Sequence, residues 1–205
     1  MYLITALAER WRQETQSFHM PHGEMTITLQ DMSFLLGLPI DGEPLCMRTG
    51  GINWRQKIED FLGVPIDETT FRKDSSVLIK LKWLAKKFDK WPEKPSEMQI
   101  VQHARAFMLA FLGDVLFTDH FGDCVSAILL TLLEDMHDLG RFNWGSGVLA
   151  YLYRELCRST RPDSKKSGGC VMLMQLWSLF GFPIARPTVR EGVDTFAVGY
   201  PPAQV

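Results

Sequence analysis

His19 and His22 are the residues whose spacing first suggests chemistry, because two imidazoles three positions apart can face one metal ion in a tight turn. A zinc site needs three or four ligands in a tetrahedral shell. No other His or Cys pair has ligand spacing, and Cys46 is the nearest thiol. The ligand set is incomplete, so the sequence predicts no metal site and gives both histidines a structural or surface role.

An acidic cluster with one imidazole follows an apolar segment further along the chain, at Glu134, Asp135, His137 and Asp138. Paired carboxylates can perform acid–base catalysis where their surroundings separate their pKa values. No second motif accompanies this cluster. We therefore interpret it as a solvated turn.

Candidate nucleophiles also lack the motifs that activate them. Cys157 and Cys170 fall on apolar helical patterns typical of small buried side chains. Ser146 lacks a full nucleophile-elbow pattern and a preceding strand, and is well placed to start a helix. The glycines at 168–169 do not have phosphate-loop spacing. We expect no catalytic residues, no cofactor and no enzymatic activity, with all four cysteines reduced.

The formal net charge of −2 conceals a strong segregation of charge along the chain. Residues 72–94 contain eight basic and three acidic side chains, and residues 154–205 contain seven basic and four acidic ones. The other two regions, 1–71 and 95–153, are each acidic by five charges. This pattern favours charge-matched contacts with a partner.

The two basic regions raise direct DNA or RNA binding as an alternative function. Trp83 and Trp91 lie within the first region and could stack on bases, although helical spacing is more typical of core tryptophans. No base-reading motif is recognisable. The basic residues that would contact nucleic acid are Lys80, Lys82, Lys86, Lys87, Arg154, Arg158, Arg161, Lys165 and Lys166.

Periodicity predicts a mainly α fold for this chain of 205 residues, 46% of them apolar. We expect one globular domain of about eight helices over residues 1–182, followed by an irregular proline-rich tail at 183–205. Short β-hairpin pieces are expected at most near 18–27 and 38–45. The longest apolar run, at 127–133, is far too short to cross a bilayer, so we expect no membrane association.

Helix starts and stops are the best-marked local features. Thr28, Asn53 and Ser96 occupy N-cap positions, and Gly37 and Gly63 end two helices in the matching sequences LGLPID and LGVPID. We expect further helices from Ser75 or Ser76 to Phe88, and from Asp123 to Leu133.

The helix that follows Ser96 is expected to run to about Leu116 and to lie centrally. Its predicted buried face consists of Ile100, Ala104, Phe107, Met108, Phe111 and Leu112.

Several ordered blocks of this sequence resemble the plant mobile domain, the domain of the MAIN-like (maintenance of meristems-like) proteins. ALAERWRQET at 6–15 is similar to the family's lead-in, with Gln13 where proline is usual, and FHMPHGEMTITL at 18–29 is similar to its signature. LGLPIDG at 36–42 continues that signature. HARA at 103–106, WGS at 144–146, VLAYLYR at 148–154, GGC at 168–170 and LW at 176–177 are similar to later blocks.

The resemblance implies a nuclear protein that acts in transposon silencing, gene-expression control, and meristem and genome maintenance. The family is similar to domains of plant transposable elements, and its members are thought to act with a plant phosphatase-like protein of the PPP class or with chromatin. Its other label, aminotransferase-like, has no support here, because no cofactor-lysine context is recognisable. Relatives often carry helices upstream of the lead-in, which we expect this chain to lack.

The resemblance implies no catalytic residues, so we expect the motif to present a contact surface. Aromatic and arginine side chains are the usual anchors of interfaces. The motif residues least explained by core burial are Glu9, Arg10, Trp11, Arg12, His19, His22 and Glu24. We predict that these residues bind the partner.

Overall fold

The computed structural model describes residues 2–47, 49–120, 122–161 and 168–182. Helices dominate these ranges and two small antiparallel sheets accompany them, which confirms the mainly α prediction. The α-helices are α1 (Tyr2–Glu9), α2 (Leu29–Leu36), α3 (Trp54–Leu62), α4 (Leu81–Lys87), α5 (Glu97–Phe111), α6 (Trp144–Ser159) and α7 (Val171–Gly181). The strands are β1 (Trp11–Arg12), β2 (Ser17–Met20), β3 (Gly23–Met25), β4 (Leu78–Lys80) and β5 (Cys124–Ser126).

Three shorter helical pieces lie between these elements in the described ranges. Leu112–Leu116 is a π-helical turn, and Ala127–Leu133 and Leu139–Arg141 are 3₁₀ helices. None of the helices described is long and apolar enough to span a bilayer. The predicted tail at 183–205 lies outside the described residues.

The first sheet forms where the sequence predicts a hairpin. Strands β1, β2 and β3 pair antiparallel in chain order, with Trp11 opposite Phe18 and His19 opposite Glu24. Near 38–45, where the prediction allows at most a short β piece, the chain forms no hairpin. Glu43 there forms an isolated parallel bridge to Phe142, because this extended segment packs against the start of α6.

Capping at both ends defines α2 and α3, as predicted. The Thr28 hydroxyl accepts the amide of Asp31, whose carboxylate accepts the Thr28 amide in return, so the two residues form a capping box. Asn53 caps α3 by accepting the Gln56 amide at 3.4 Å. Gly37 and Gly63 end the two helices at φ of 65° and 68°, a backbone conformation in which a Cβ is disfavoured.

Two predicted helices begin later than expected because their first residues form strands. The Ser75 hydroxyl caps a turn by accepting the amides of Val77 and Leu78 at 3.1 Å. The next residues, 78–80, pair with 124–126 as strands β4 and β5. The predicted helix starts at Ser75 or Ser76 and at Asp123 are therefore wrong. Pairing between residues distant in sequence overrides the local helical pattern here.

Helix α5 starts at the predicted Ser96 capping box, but ends at Phe111, where the π-helical turn takes over. The Phe117 amide donates to the Leu112 carbonyl at 2.7 Å, a bond across five residues. Strand β5 lies against this turn at Gly113, where a Cβ would overlap the Val125 side chain.

The predicted buried face of α5 is largely wrong. Ile100, Phe107 and Phe111 are exposed, whereas Leu112 is buried as predicted, together with Arg105, Ala106 and Leu109, which the prediction did not include. Helical geometry places these two sets on opposite sides of the helix, since each residue advances the chain by about 100°.

Arg105 is 8% exposed and connects three elements of the core. Its Nε donates to the Leu133 carbonyl at 2.9 Å, Nη1 to the Phe61 carbonyl at 2.8 Å, and Nη2 to the Glu134 carbonyl at 3.3 Å. Those carbonyls lie at the end of α3 and of the longer 3₁₀ helix, where intrahelical partners run out. Burial lowers the pKa of Arg105, partly offset by nearby Glu134, but the guanidinium stays charged at neutral pH.

We expect Arg105→Ala to lower the free energy of unfolding by about 3 kcal/mol, because one buried and two partly buried carbonyl contacts lose a charged donor. Arg105→Lys should lose less, since the ammonium keeps the charge but lacks the planar fork. Urea denaturation measures both free energies of unfolding. Arg12→Ala, at the exposed position of β1, is the control, and its free energy of unfolding should stay within about 0.5 kcal/mol of wild type. An Arg105→Ala protein as stable as that control would contradict this role.

Candidate binding surfaces

The sheet brings together most of the predicted partner-binding residues. Glu9, Arg10, Arg12, His19, His22 and Glu24 are exposed. His19 lies opposite Glu24 across the β2–β3 pair, and Arg10 Nη1 donates to the His19 carbonyl at 3.4 Å. The Ser17 hydroxyl donates to Glu24 Oε2 at 2.9 Å, so this carboxylate is held in place. We name these six exposed residues the lead-in surface.

Trp11 does not belong to that surface. It is 2% exposed, and its ring packs against Phe18 and Tyr153 at centroid distances of 4.9 and 5.1 Å. Its indole N–H lies 3.2 Å from Cys157 Sγ. The expectation that burial does not explain Trp11 is wrong, because β1 turns this side chain inward towards α6.

The lysines and tryptophans of the first basic region do not form an exposed base-stacking platform, although Lys87 Nζ lies 5.9 Å from the centroid of the Trp83 ring. Lys80 is half-buried in β4, while Lys82, Lys86 and Lys87 are exposed on α4. Trp83 is buried, which removes it as a base-stacking platform. The Trp91 ring lies edge-on to His103 at 4.7 Å and remains exposed.

Asp67 connects one of these lysines to the loop after α3. It accepts hydrogen bonds from the Thr69 hydroxyl, the Thr69 amide at 2.9 Å and the Trp83 indole at 3.3 Å, and it pairs with Lys87 at 3.3 Å. The Thr69 hydroxyl contributes most to holding the pKa of Asp67 well below its usual range. Lys87 therefore has a structural partner within the chain.

The arginines of the second basic region are organised by a buried carboxylate. Glu155 is 2% exposed, and its Oε1 accepts from Arg154 Nη2 at 3.4 Å and from Arg158 Nη1 at 3.1 Å. Arg161 is exposed beyond the end of α6. Lys165 and Lys166 lie outside the described residues. The sequence predicts Arg154 and Arg158 as candidates, but does not reveal that Glu155 holds them.

The largest departure from the sequence-based site is an exposed apolar side of α5. Ile100, Ala104, Phe107 and Phe111 follow helical spacing and share one face, which we name the α5 face. Phe107 is 62% exposed and Phe111 is 46% exposed. The apolar pattern of these residues is visible in the sequence, but it predicts that they are buried inside the domain.

A groove of about 630 Å³ runs between α4 and α5 beside this face. Leu81, Leu84, Phe88 and Ala106 line it, together with both exposed phenylalanines of the α5 face. Lys82, Asp89 and Asp114 supply charges of both signs among the lining residues. The arrangement offers apolar contact area with polar groups close by, as interfaces do.

The groups considered for catalysis are dispersed in the structure. Across the described ranges, no three His, Cys, Asp or Glu side chains come close enough to hold a metal ion. Lys57 pairs with Glu134, and Arg141 pairs with Asp138 at 3.2 Å, so the acidic cluster forms surface ion pairs. Burial raises the pKa of Cys124 to about 12 and also raises the pKa of Cys170, so both thiols are protonated at neutral pH.

Comparison with known proteins decides the family. The sequence profile of the plant mobile domain matches residues 1–203. The chain belongs to the plant mobile domain family. No solved structure matches it.

Three relatives from Arabidopsis thaliana place the plant mobile domain within longer proteins. The chain is 40% identical over 185 residues to the serine/threonine-protein phosphatase 7 long form homolog, covering 90% of the chain and 14% of that protein. It is 38% identical over 196 residues to Protein MAIN-LIKE 1, covering 96% of the chain and 38% of that protein. It is 36% identical over 199 residues to Protein MAINTENANCE OF MERISTEMS, covering 92% of the chain and 39% of that protein. The chain therefore spans less than two fifths of these relatives.

We expect Trp11→Ala to lower the free energy of unfolding by about 3–5 kcal/mol, because it leaves a cavity among Phe18, Tyr153 and Cys157. Thermal and urea unfolding measure the loss. Arg10→Ala, on the neighbouring exposed position, should stay within about 0.5 kcal/mol of wild type. Equal stability of the two variants would show that Trp11 is a surface residue.

We also expect the ionisation of Asp67 to make the free energy of unfolding depend on pH in the acidic range. Its lowered pKa means that its stabilisation is present above the unfolded-state pKa of about 3.9 and is lost as pH falls through and below that value. The stability difference between wild type and Asp67→Asn should therefore shrink from about pH 6 to about pH 3 in urea titrations. A difference that stays constant over this range would exclude the proposed linkage.

Proposed function

We propose that this plant mobile domain is a non-enzymatic protein-interaction domain that works in the nucleus. It recruits a phosphatase-like protein of the PPP class in transposon silencing, gene-expression control, and meristem and genome maintenance. The observation that carries the proposal is the α5 face, an exposed apolar side on a helix whose opposite side is already buried in the core.

Apolar side chains lie on two opposite sides of α5. A helix side that carries a stripe of apolar residues usually packs against protein. Within the described residues, Arg105, Leu109 and Leu112 account for one enclosed side only. Contiguous exposed apolar surface of this kind marks sites of protein–protein contact.

The shape of the groove suggests how a partner binds there. An amphipathic helix recognises such grooves by placing apolar side chains at intervals of three, four and seven residues along it. Phe107 and Phe111 line the groove and act as aromatic anchors, the class of residue that dominates interface energies. Lys82 and Asp89 can orient the helix through its flanking charges.

The relatives support the direction of this proposal. One is named a serine/threonine-protein phosphatase 7 homolog, and a segment of it is similar to nearly the whole chain. The others carry the names MAIN-LIKE 1 and MAINTENANCE OF MERISTEMS. We propose that the lead-in surface forms a second, polar contact with the same partner.

The proposal is tested by binding of the intact chain to the Arabidopsis phosphatase 7 long form homolog in calorimetry. We expect Phe107→Gln with Phe111→Gln to weaken binding at least about tenfold, because two aromatic anchors are removed. Glutamine preserves helix propensity at both positions. Phe34→Gln, at an exposed phenylalanine of α2, is the matched control and should bind as wild type does.

Two outcomes count against the proposal. Equal affinity of wild type and the double phenylalanine variant would exclude the α5 face as the docking site. Absence of binding by the wild-type chain, together with DNA or RNA binding that weakens steeply with salt, would favour the nucleic-acid alternative.

A further inference from the structure

A second cavity, of about 610 Å³, lies against α6 on a part of the molecule that does not include α5. Its volume falls in the range of small-molecule sites. Leu45, Phe117, Ile128 and Leu129 contribute much of its apolar wall. Arg72, Arg154 and Arg158 also line it, which gives an apolar chamber three guanidinium groups.

Two of these arginines are held in place by Glu155, a buried residue of α6. Arg154 and Arg158 lie one helical turn apart, and both donate to the same oxygen of buried Glu155. The Arg154 guanidinium also lies over the Tyr151 ring, 4.5 Å from its centroid. The Arg154 and Arg158 side chains nevertheless remain 61% and 48% exposed. They are therefore positioned before any ligand arrives, which reduces the entropy lost on binding.

The remaining hydrogen-bonding capacity of the arginines favours an anion. Each guanidinium has five N–H donors, and Glu155 engages one nitrogen of each. Glu155 and the lining residue Asp119 offset two of the three positive charges, so one positive charge remains. Paired arginines match the oxygens of carboxylates and phosphates in both charge and geometry.

Two further polar side chains that line the cavity, Cys124 and Tyr151, are both protonated at neutral pH. Burial raises the pKa of Cys124 to about 12, so its thiol is not a nucleophile at neutral pH. Burial, followed by the Glu155 charge, raises the pKa of Tyr151, which keeps the phenol protonated. Neither the Cys124 thiol nor the Tyr151 phenol is therefore a nucleophile at neutral pH, and the arginines are the groups that favour an anion.

We propose that this cavity binds a small organic anion, a carboxylate or phosphate monoester attached to an apolar group. Arg154 and Arg158 contact the anion, and the apolar wall contacts the body of the ligand. Glu155 is a positioning residue that acts through both arginines. This site is independent of the proposed partner docking, since neither Phe107 nor Phe111 lines it.

The test titrates the intact chain with phenyl phosphate and with phenylacetate in calorimetry, and with inorganic phosphate and phenol as the separate halves of the ligand. We expect at least one of the two organic anions to bind at least about tenfold more tightly than either half. The two anions distinguish a phosphate from a carboxylate as the preferred head group. Absence of saturable binding by both would overturn the proposal.

Three variants assign the residues. Arg154→Gln and Arg158→Gln, each of which keeps an amide donor for Glu155, should weaken binding at least about tenfold. Arg161→Gln is the matched control, because this exposed arginine does not line the cavity, and it should bind as wild type does. Equal weakening by all three would indicate a diffuse charge effect and contradict the assignment.

The Glu155→Gln variant distinguishes the positioning role of Glu155 from the effect of its negative charge on anion binding. Removal of a negative charge alone would tighten anion binding, whereas loss of the shared anchor weakens it. We expect weaker binding, with folding checked by circular dichroism and Arg154→Gln retained as the second readout should this variant fail to fold. Tighter binding by a folded Glu155→Gln protein would show that Glu155 does not position the arginines.

Discussion

The buried guanidinium of Arg105 determines which side of α5 faces the core. Its three donors meet carbonyls of α3 and of the end of the 3₁₀ helix at 127–133, so rotating α5 would carry the guanidinium away and leave those carbonyls without its donors. A buried acceptor that loses its donor costs about 1–3 kcal/mol of desolvation free energy. The polar contact of one residue therefore sets the orientation of the longest apolar helix in the first two thirds of the chain.

The exposure of Phe107 and Phe111 follows from that orientation. A helix with apolar residues on two sides could bury either, and hydrophobicity alone does not choose between them. The side of α5 that carries Arg105 is the buried one, because on that side the guanidinium donates to three carbonyls while Leu109 and Leu112 are also buried. The α5 face is then left for another molecule to cover, which is the physical basis of the proposed recruitment role.

Glu155 has a comparable relation to the second cavity. It is a buried charge whose partners, Arg154 and Arg158, extend to the surface. In both places a charged residue inside the fold positions groups that face outward. The motif residues of this family thus include side chains, such as Arg105 and Trp11, whose role lies in the architecture rather than in direct contact.

Local chemistry made part of this fold predictable. Thr28, Asn53 and Ser96 cap helices, and Gly37 and Gly63 end them, because these features depend on a few neighbouring residues. Pairing of residues 78–80 with 124–126 was not predictable, since it joins segments more than forty residues apart. The inward turn of Trp11 and the rotation of α5 likewise depend on tertiary contacts that periodicity does not encode.

The candidate surfaces were predictable to a smaller extent. Exposed charged residues such as Arg10, Arg12 and Glu24 were identified from the motif, because charged side chains are rarely fully buried unless they are paired. The α5 face was assigned to the core, since its spacing is that of a buried helix. The face points outward because the opposite side of α5, which carries Arg105, packs against the core and donates to its carbonyl partners there.

The most direct measurement of the central claim is carbene footprinting of the intact chain, alone and in complex with the proposed partner, the purified Arabidopsis phosphatase 7 long form homolog. The account predicts strong labelling of Phe107 and Phe111 in the free chain and marked protection of both in the complex. Labelling of these two rings that is unchanged by the bound partner would contradict it.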